Sequence, residues 1–198
     1  MHLWQCRVIL VAGFFLSITG CSWSRHPTEV LSAESVPIVD DGKVIDLSRL
    51  RPGRSVVILP FNAGTQVEAS DELDKIALML VKGAAETFQE NPAALKVLFP
   101  GEKSQADLFL QGHVTRLTKK SAGAKRWLGR ASAPSLTVEG DLVERKTGKV
   151  VLHFVHGKKA QDKGEDHRAL GWEIGKDIAR FIISEINEGR EASTLLNP

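Results

Sequence analysis

The stretch LTVEGDLVE, residues 136–144, alternates apolar and polar residues, as a strand with one buried face does. Residues 107–117 and 149–156 show the same period. Thr147-Gly148, between the segments at residues 136–144 and 149–156, is a tight-turn signal. We therefore expect a three-stranded antiparallel meander. The residues expected on its buried face are Leu108, Leu110, Gly112, Val114, Leu136, Val138, Gly140, Leu142, Val150, Leu152 and Phe154.

Apolar runs upstream of the meander add strands to the sheet. Residues 55–61, SVVILPF, form a continuous apolar and β-branched run with Pro60 near its end, which suits a strand buried on both faces. Residues 43–47 are a shorter strand candidate, and residues 95–99 are a further short apolar run. The two strand candidates at residues 55–61 and 43–47, together with the meander, predict a sheet of about five strands.

Two segments carry apolar residues at helical spacing. The first begins at the N-cap Ser70 and is stopped by Asn91, and the second runs from Asp166 to Glu188 and stops at Gly189. We expect an α+β fold, with one mixed, mainly antiparallel sheet and two helices packed on one face. The helical residues assigned to the core are Leu73, Ile76, Ala77, Leu80, Ala84, Phe88, Leu170, Ile174, Ile178, Phe181, Ile182 and Ile186.

The N-terminus has the features of an export signal. Arg7 precedes an apolar run that ends at Leu16, and about a dozen residues are fewer than the ~20 that a spanning helix needs. The sequence LSITGC, which begins at Leu16, resembles the lipobox of bacterial lipoproteins. We expect cleavage between Gly20 and Cys21 and attachment of lipid to Cys21, which would hold the chain to a membrane. An ordinary signal peptide with a chance cysteine is the alternative.

The domain organisation follows from that cleavage. We assign residues 1–20 to the signal peptide, residues 21–43 to a flexible tether, residues 44–189 to a single domain and residues 190–198 to a C-terminal tail. Cys6 leaves with the signal peptide, so the mature chain has no thiol pair for a disulfide. The domain must therefore rely on its apolar core.

The residue after the cysteine bears on localisation. Ser22 is uncharged, whereas an Asp there is the usual inner-membrane retention signal of enterobacterial lipoproteins. We therefore expect an outer-membrane lipoprotein facing the periplasm, with the inner membrane or the cell surface as alternatives. The formal net charge of +2 is too small to indicate nucleic-acid binding.

One block of sequence resembles a known family. GAKRWLG at residues 123–129, the strand at residues 136–144 and TGKVV at residues 147–151 resemble the bacterial lipoprotein family known as domain of unknown function 4410. The likeness covers residues 55–187. It departs from the family pattern at residues 129–132, where a more glycine-rich stretch is usual, and at Glu144, where Asp is usual. More distantly, the element order is similar to that of envelope lipoproteins with a TolB N-terminal-like fold. These include peptidoglycan-synthase activators and curli-secretion lipoproteins. The resemblance implies no established activity.

A basic run follows the first strand of the meander. Its five cations, which accompany Trp127, are Lys119, Lys120, Lys125, Arg126 and Arg130. Such a segment can bind anionic lipid headgroups, phosphorylated glycan or an acidic protein. The alternative interpretation is a solvated hairpin loop. Trp172, beside the apolar stripe of the second helix, is a further interface candidate.

The sequence contains no recognisable catalytic or metal-binding pattern. His153 and His156 would lie on opposite faces of a strand, so we interpret them as strand-surface histidines and not as metal ligands. Lipid consumes Cys21, and no serine lies in a Gly-x-Ser-x-Gly turn. We therefore expect no metal, no cofactor and no enzymatic activity, although a hydrolase acting on envelope polymers stays an alternative.

These features together favour a membrane-anchored, non-enzymatic envelope lipoprotein. It would bind or help assemble another envelope component, a protein or a glycan. The alternative is a periplasmic subunit of a secretion or export complex that resembles the curli-secretion lipoprotein.

Overall fold

The computed structural model of the protein describes residues 38–118, 133–161 and 165–196. Over these residues one seven-stranded sheet carries two long helices, which confirms the expected α+β class. The strands are β1 (Asp41–Val44), β2 (Arg54–Ile58), β3 (Asn62–Ala63), β4 (Leu95–Val97), β5 (Leu108–Thr118), β6 (Ser135–Glu144) and β7 (Val150–Lys159). The helices are α1 (Asp71–Glu90) and α2 (His167–Leu196), and 3-10 segments lie at Leu47–Arg49 and Pro100–Gln105.

The three alternating segments form the centre of the sheet. β6 pairs antiparallel with β5 on one side and with β7 on the other, as the meander predicts. The register places Leu142 between Leu110 and Leu152, and all three side chains are fully buried. The alternation therefore identifies the face of the sheet that receives the helices.

A bulge in β7 changes one assignment. Leu142 pairs with Leu152, but the next residue, Val143, pairs with Val150, which leaves Val151 as an inserted residue. Val151 is fully buried in the core, whereas Val150 is half-buried. The placement of Val150 with Leu152 on the buried face is therefore wrong, because strict alternation ignores the inserted residue.

Parallel strands extend the sheet beyond β5. β2 lies parallel to β5, and β4 lies parallel to β2 on its outer side. Val56 and Val57 of β2 are both fully buried although they point to opposite faces, as expected for this strand. The sheet order is β1-β7-β6-β5-β2-β4, and β3 pairs with β5. The short strands β3 and β4 raise the number from the predicted five to seven.

The sheet also includes residues from the predicted tether, residues 21–43. β1 begins at Asp41 and pairs antiparallel with β7. Just before it, Val39 is 4% exposed, and the Asp40 carboxylate accepts a hydrogen bond from the Gly157 amide at 2.7 Å. The chain is therefore part of the folded domain from residue 39 onward, and the predicted end of the tether at residue 43 is several residues too far along the chain.

Both helices pack on one face of the sheet and against each other. The apolar stripes predicted for them are buried, and Ser70 is the N-cap of α1, with its hydroxyl accepting a hydrogen bond from the Leu73 amide at 3.3 Å. The helices approach closely at Gly175, where a Cβ would lie 3.0 Å from the amide nitrogen of Ala84. Glycine at this position therefore allows near-contact of the two backbones.

α2 is longer than the sequence predicts. It continues through Gly189 to Leu196, so neither the helix end at Gly189 nor the tail at residues 190–198 is correct. A Cβ at residue 189 would lie 2.9 Å from Cδ1 of Leu47, which indicates that this glycine permits close packing and does not end the helix. Within the described residues, neither α1 nor α2 is long and apolar enough to cross a membrane.

Candidate functional site

The site residues predicted from sequence lie outside the described residues. They are Gly20, Cys21, Lys119, Lys120, Lys125, Arg126 and Arg130, together with Trp127. The structure does describe both ends of the segment that carries the basic run, because β5 ends at Thr118, β6 begins at Ser135, and these two residues are paired. We call this region, formed by Thr118, Ser135, Glu72 and His167, the β5–β6 end.

His167 joins three elements at the β5–β6 end. It is the first residue of α2 and is 7% exposed. Its Nδ1 lies 3.0 Å from Oε1 of Glu72 on α1, and its Nε2 lies 2.9 Å from the carbonyl oxygen of Thr118 on β5. A carboxylate and a carbonyl both accept, so the ring makes both hydrogen bonds only when both nitrogens carry protons. His167 therefore fixes the strand end from which the basic run continues.

A shallow depression of about 250 Å³ lies beside His167. It is lined by Glu72, Lys75, Asp166, His167 and Arg168. Hydrogen bonds from the Ala169 amide and the Arg168 side chain lower the pKa of Asp166, which therefore stays ionised at the start of α2. Because α1 also begins here, two helix N-termini lie at this end, and the charges around the depression are of both signs.

A second polar group lies between β7 and α2. Oδ2 of Asp177 is 3.2 Å from Nε2 of His156 and 2.6 Å from Nζ of Lys158, and Oδ1 is 3.2 Å from Arg180. Burial alone would raise the pKa of Asp177, but the hydrogen bonds from His156 and Lys158 outweigh it and lower the pKa to about 2. Among the described atoms, Nδ1 of His156 is buried without a hydrogen-bond partner, 3.7 Å from the Asp40 carboxylate. This group fastens α2 to the sheet.

The two histidines of β7 face opposite ways, as predicted. His153 lies on the face away from the helices, which we call the open face, and is 2.8 Å from Asp141. His156 is 6% exposed, so its assignment to the strand surface is wrong. The signal was available, because His156 continues the inward alternation of Leu152 and Phe154, and a charged partner such as Asp177 can receive its Nε2 there.

Glu144 lies at the opposite end of the sheet. Glu144, at the end of β6, accepts a hydrogen bond from Thr147 and forms ion pairs with Arg49 and Arg54. The Thr147 hydrogen bond, opposed by desolvation and aided by the two arginines, lowers the pKa of Glu144. The longer side chain of Glu therefore links three segments of the chain at this position.

The interface candidate Trp172 is engaged within the domain. Its Nε1 donates a hydrogen bond to Glu86 of α1 at 2.7 Å, and Nζ of Lys176 lies 4.0 Å from the ring centroid. The half-burial of the ring is therefore explained by the packing of α1 against α2. An interface role for Trp172 stays a prediction.

Part of the open face of the sheet is polar. A depression of about 260 Å³ there is lined partly by Asn62, Gln111, His113, Glu139 and Asp141. Within the ranges that the structure describes, no three His, Cys, Asp or Glu side chains are grouped closely enough to hold a metal ion. What this face can offer is hydrogen bonding to a polar partner.

Comparison with known proteins identifies similar folds. No protein-family model matches the chain, and no curated protein matches it, so the resemblance to the family of unknown function 4410 stays a prediction. Among solved structures, a point variant of the PelC dodecamer from Paraburkholderia phytofirmans has a TM-score of 0.50 at 15% identity, covering 72% of this chain and 96% of that one. The PelC dodecamer without that substitution has a TM-score of 0.48 at 16% identity, with the same coverage of both chains.

A protein described as a lipoprotein is also similar. Lipoprotein GNA1162 from Neisseria meningitidis has a TM-score of 0.38 at 13% identity, covering 64% of this chain and 95% of that one. At these identities a structural likeness shows the fold and nothing more. The chain therefore shares the α+β architecture of PelC, and its function has to be argued from its own residues.

Proposed function

We propose that this chain is a membrane-anchored, non-enzymatic envelope lipoprotein that binds or helps assemble another envelope component, a protein or a glycan. The observation that carries the proposal is the lipobox ending at Cys21, followed 18 residues later by a domain that is docked from Val39 onward. Even fully extended, a connection of that length spans about 65 Å at most. The domain would therefore meet its partner close to the membrane, on the periplasmic side of the outer membrane.

The partner contact is proposed for the basic run Lys119, Lys120, Lys125, Arg126 and Arg130. This segment continues from two strand ends that are paired with each other, and His167 fixes one of them to both helices. The N-termini of α1 and α2 lie at the same end and favour an anionic partner, although the acidic residues in the first turn of α1 offset part of this effect. An acidic protein surface or a phosphorylated glycan fits this arrangement.

The experiment is a pull-down from crosslinked membranes with charge-reversal variants. Lys125→Glu with Arg126→Glu should reduce partner recovery at least tenfold. Lys103→Glu with Lys149→Glu makes the same change of charge at exposed positions elsewhere and should leave recovery unchanged. Failure to recover any stoichiometric partner, or equal losses from both double variants, would count against the proposal.

The anchor has its own test. Cys21→Ser should abolish palmitate labelling, because Cys21 is the cysteine of the lipobox, and the chain should stay uncleaved or become soluble. A Cys6→Ser chain is the matched control and should be labelled normally. Labelling that persists in the Cys21→Ser chain would exclude lipidation at this residue.

A second candidate is a ring-forming periplasmic subunit of a secretion or export complex. The likeness at a TM-score of 0.50 to a protein solved as a dodecamer supports it. Detergent-extracted chain should then have the mass of a large multimer. A monomeric mass at micromolar concentration would exclude it.

A further inference from the structure

The sheet has two edge strands that differ in sequence. β1 and β4 are its edge strands, and within the described residues neither is paired on its outer side. β1 has four residues and β4 has three. Unpaired backbone N–H and C=O groups along an edge can hydrogen-bond a further strand.

Exposed apolar side chains are concentrated near these edges. Among the described residues, the large apolar side chains that are exposed number five: Ile38, Ile45, Leu47, Leu78 and Phe99. Ile38 and Ile45 lie on either side of β1 in the chain, Leu47 follows shortly after, and Phe99 comes two residues after β4. Phe99 is 75% exposed, the highest value of the set. The fifth, Leu78, lies on α1.

The two edges also carry opposite charges on the same face. Asp41 pairs with Val155, which belongs to the open face with Glu139. Lys96 pairs with Ser55, and the neighbouring residue Val56 is buried beneath the helices, so Lys96 also lies on the open face. Both are exposed, and neither makes an ion pair with another described residue.

We propose that β1 of one copy of this chain pairs with β4 of the next copy, with Asp41 opposite Lys96. Lys43 lies two residues from Asp41 on the same face, and placing it opposite Lys96 instead would bring like charges together, which disfavours that register. Phe99 lies against the aliphatic side chains beside β1 and excludes water from the short ladder. Because the two patches are different, the contact is head-to-tail and generates a ring or a filament.

This inference deepens the second candidate function, the ring-forming subunit, and rests on it because the contact requires a multimer. The first candidate function, the binding lipoprotein, does not depend on this contact. The tests are therefore made on the full chain extracted in detergent, with the mass of the assembly measured alongside the contact.

Disulfide crosslinking tests the contact directly. Residues opposite each other on neighbouring strands have Cα atoms about 5 Å apart, which a disulfide can span. Asp41→Cys with Lys96→Cys in one chain should give a ladder of dimers, trimers and larger species under mild oxidation. Each single variant, the unsubstituted chain, and Asp41→Cys with Lys82→Cys should give none. Lys82 is an exposed lysine on α1 and provides the matched control.

Charge exchange tests the register. Asp41→Lys and Lys96→Asp should each reduce the multimer at least tenfold at low salt, and the chain with both substitutions should recover it. Phe99→Ser, at an exposed position, should weaken the assembly without changing the unfolding midpoint.

The outcomes distinguish the edge contact from the existence of a multimer. A multimer that shows no crosslink between residues 41 and 96 would overturn the edge contact and leave the second candidate standing. A monomer would overturn both. Crosslinking by Asp41→Cys alone would show a symmetric contact between β1 strands, and failure of the double charge exchange to restore assembly would refute the pairing of Asp41 with Lys96.

Discussion

Substitution of Gly175 by alanine tests the close approach of α1 and α2. A Cβ at this position would lie 3.0 Å from the amide nitrogen of Ala84 and closer still to the carbonyl oxygen of Leu80, whereas ordinary contacts begin at 3.4 Å. The obstacles are backbone atoms, so the helices must separate by about 1 Å or bend. Forcing extra atoms into a packed interior costs about 1–3 kcal/mol and sometimes more.

Helix propensity acts in the opposite direction. Alanine is favoured over glycine inside a helix by about 1 kcal/mol, so a net destabilisation of roughly 2 kcal/mol requires an overpacking cost near 3 kcal/mol. For a chain of this size, that loss lowers the melting temperature by roughly 4–8 °C. The measurement is urea unfolding followed by circular dichroism, with the free energy of unfolding taken from the midpoint at unchanged slope.

Gly189→Ala is the matched control. It makes the same change in the same helix, but there the obstacle is the flexible side chain of Leu47. We expect this variant to be neutral or up to about 1 kcal/mol more stable, because propensity dominates. If Gly175→Ala were also neutral or stabilising, the close approach of the two helices would be refuted.

Two further predictions concern the polar groups. The pKa of Asp177 is lowered from 3.8 to about 2, and this shift corresponds to about 2 kcal/mol in the free energy of unfolding. This contribution is fully present above pH ~4 and is lost as the pH falls through about 2. The urea midpoint of the unsubstituted chain should therefore fall across this range, and the midpoint of Asp177→Asn should fall less. Parallel curves of midpoint against pH for the two chains would contradict this prediction. His167→Ala leaves the Thr118 carbonyl and the Glu72 carboxylate without this partner and should cost about 1–3 kcal/mol. Hydrogen exchange should then rise at the paired ends of β5 and β6, and unchanged protection there would show that His167 does not fix them.

Patterns with a fixed period were sufficient to predict the centre of the fold. The alternation in residues 107–117 and 136–144 gave β5, β6 and their buried faces, and the apolar stripes gave both helices. Departures from periodicity were not predictable. The inserted Val151 is a conventional apolar strand residue, and Gly189 has the appearance of a helix stop until its contact with Leu47 is known.

The candidate site was less accessible to sequence reasoning for a similar reason. His167 lies 95 residues from Glu72 and 49 residues from Thr118, so no local pattern connects them. His156 and Asp177 are also separated in sequence, by 21 positions. Charged residues at the ends of elements acquire their partners through tertiary packing, and the basic run could be recognised only because its cations are close together in the chain.

The docking of β1 determines how the domain responds to mechanical load. If the chain is held at Cys21, tension along the tether enters the fold at Val39 and Asp40 and reaches β1 next. β1 is a four-residue edge strand, so it can be peeled from β7 one residue at a time while the central strands bear little force. β1 would then be the first element to detach under load. The first consequence of a strong pull would be a newly exposed edge on β7.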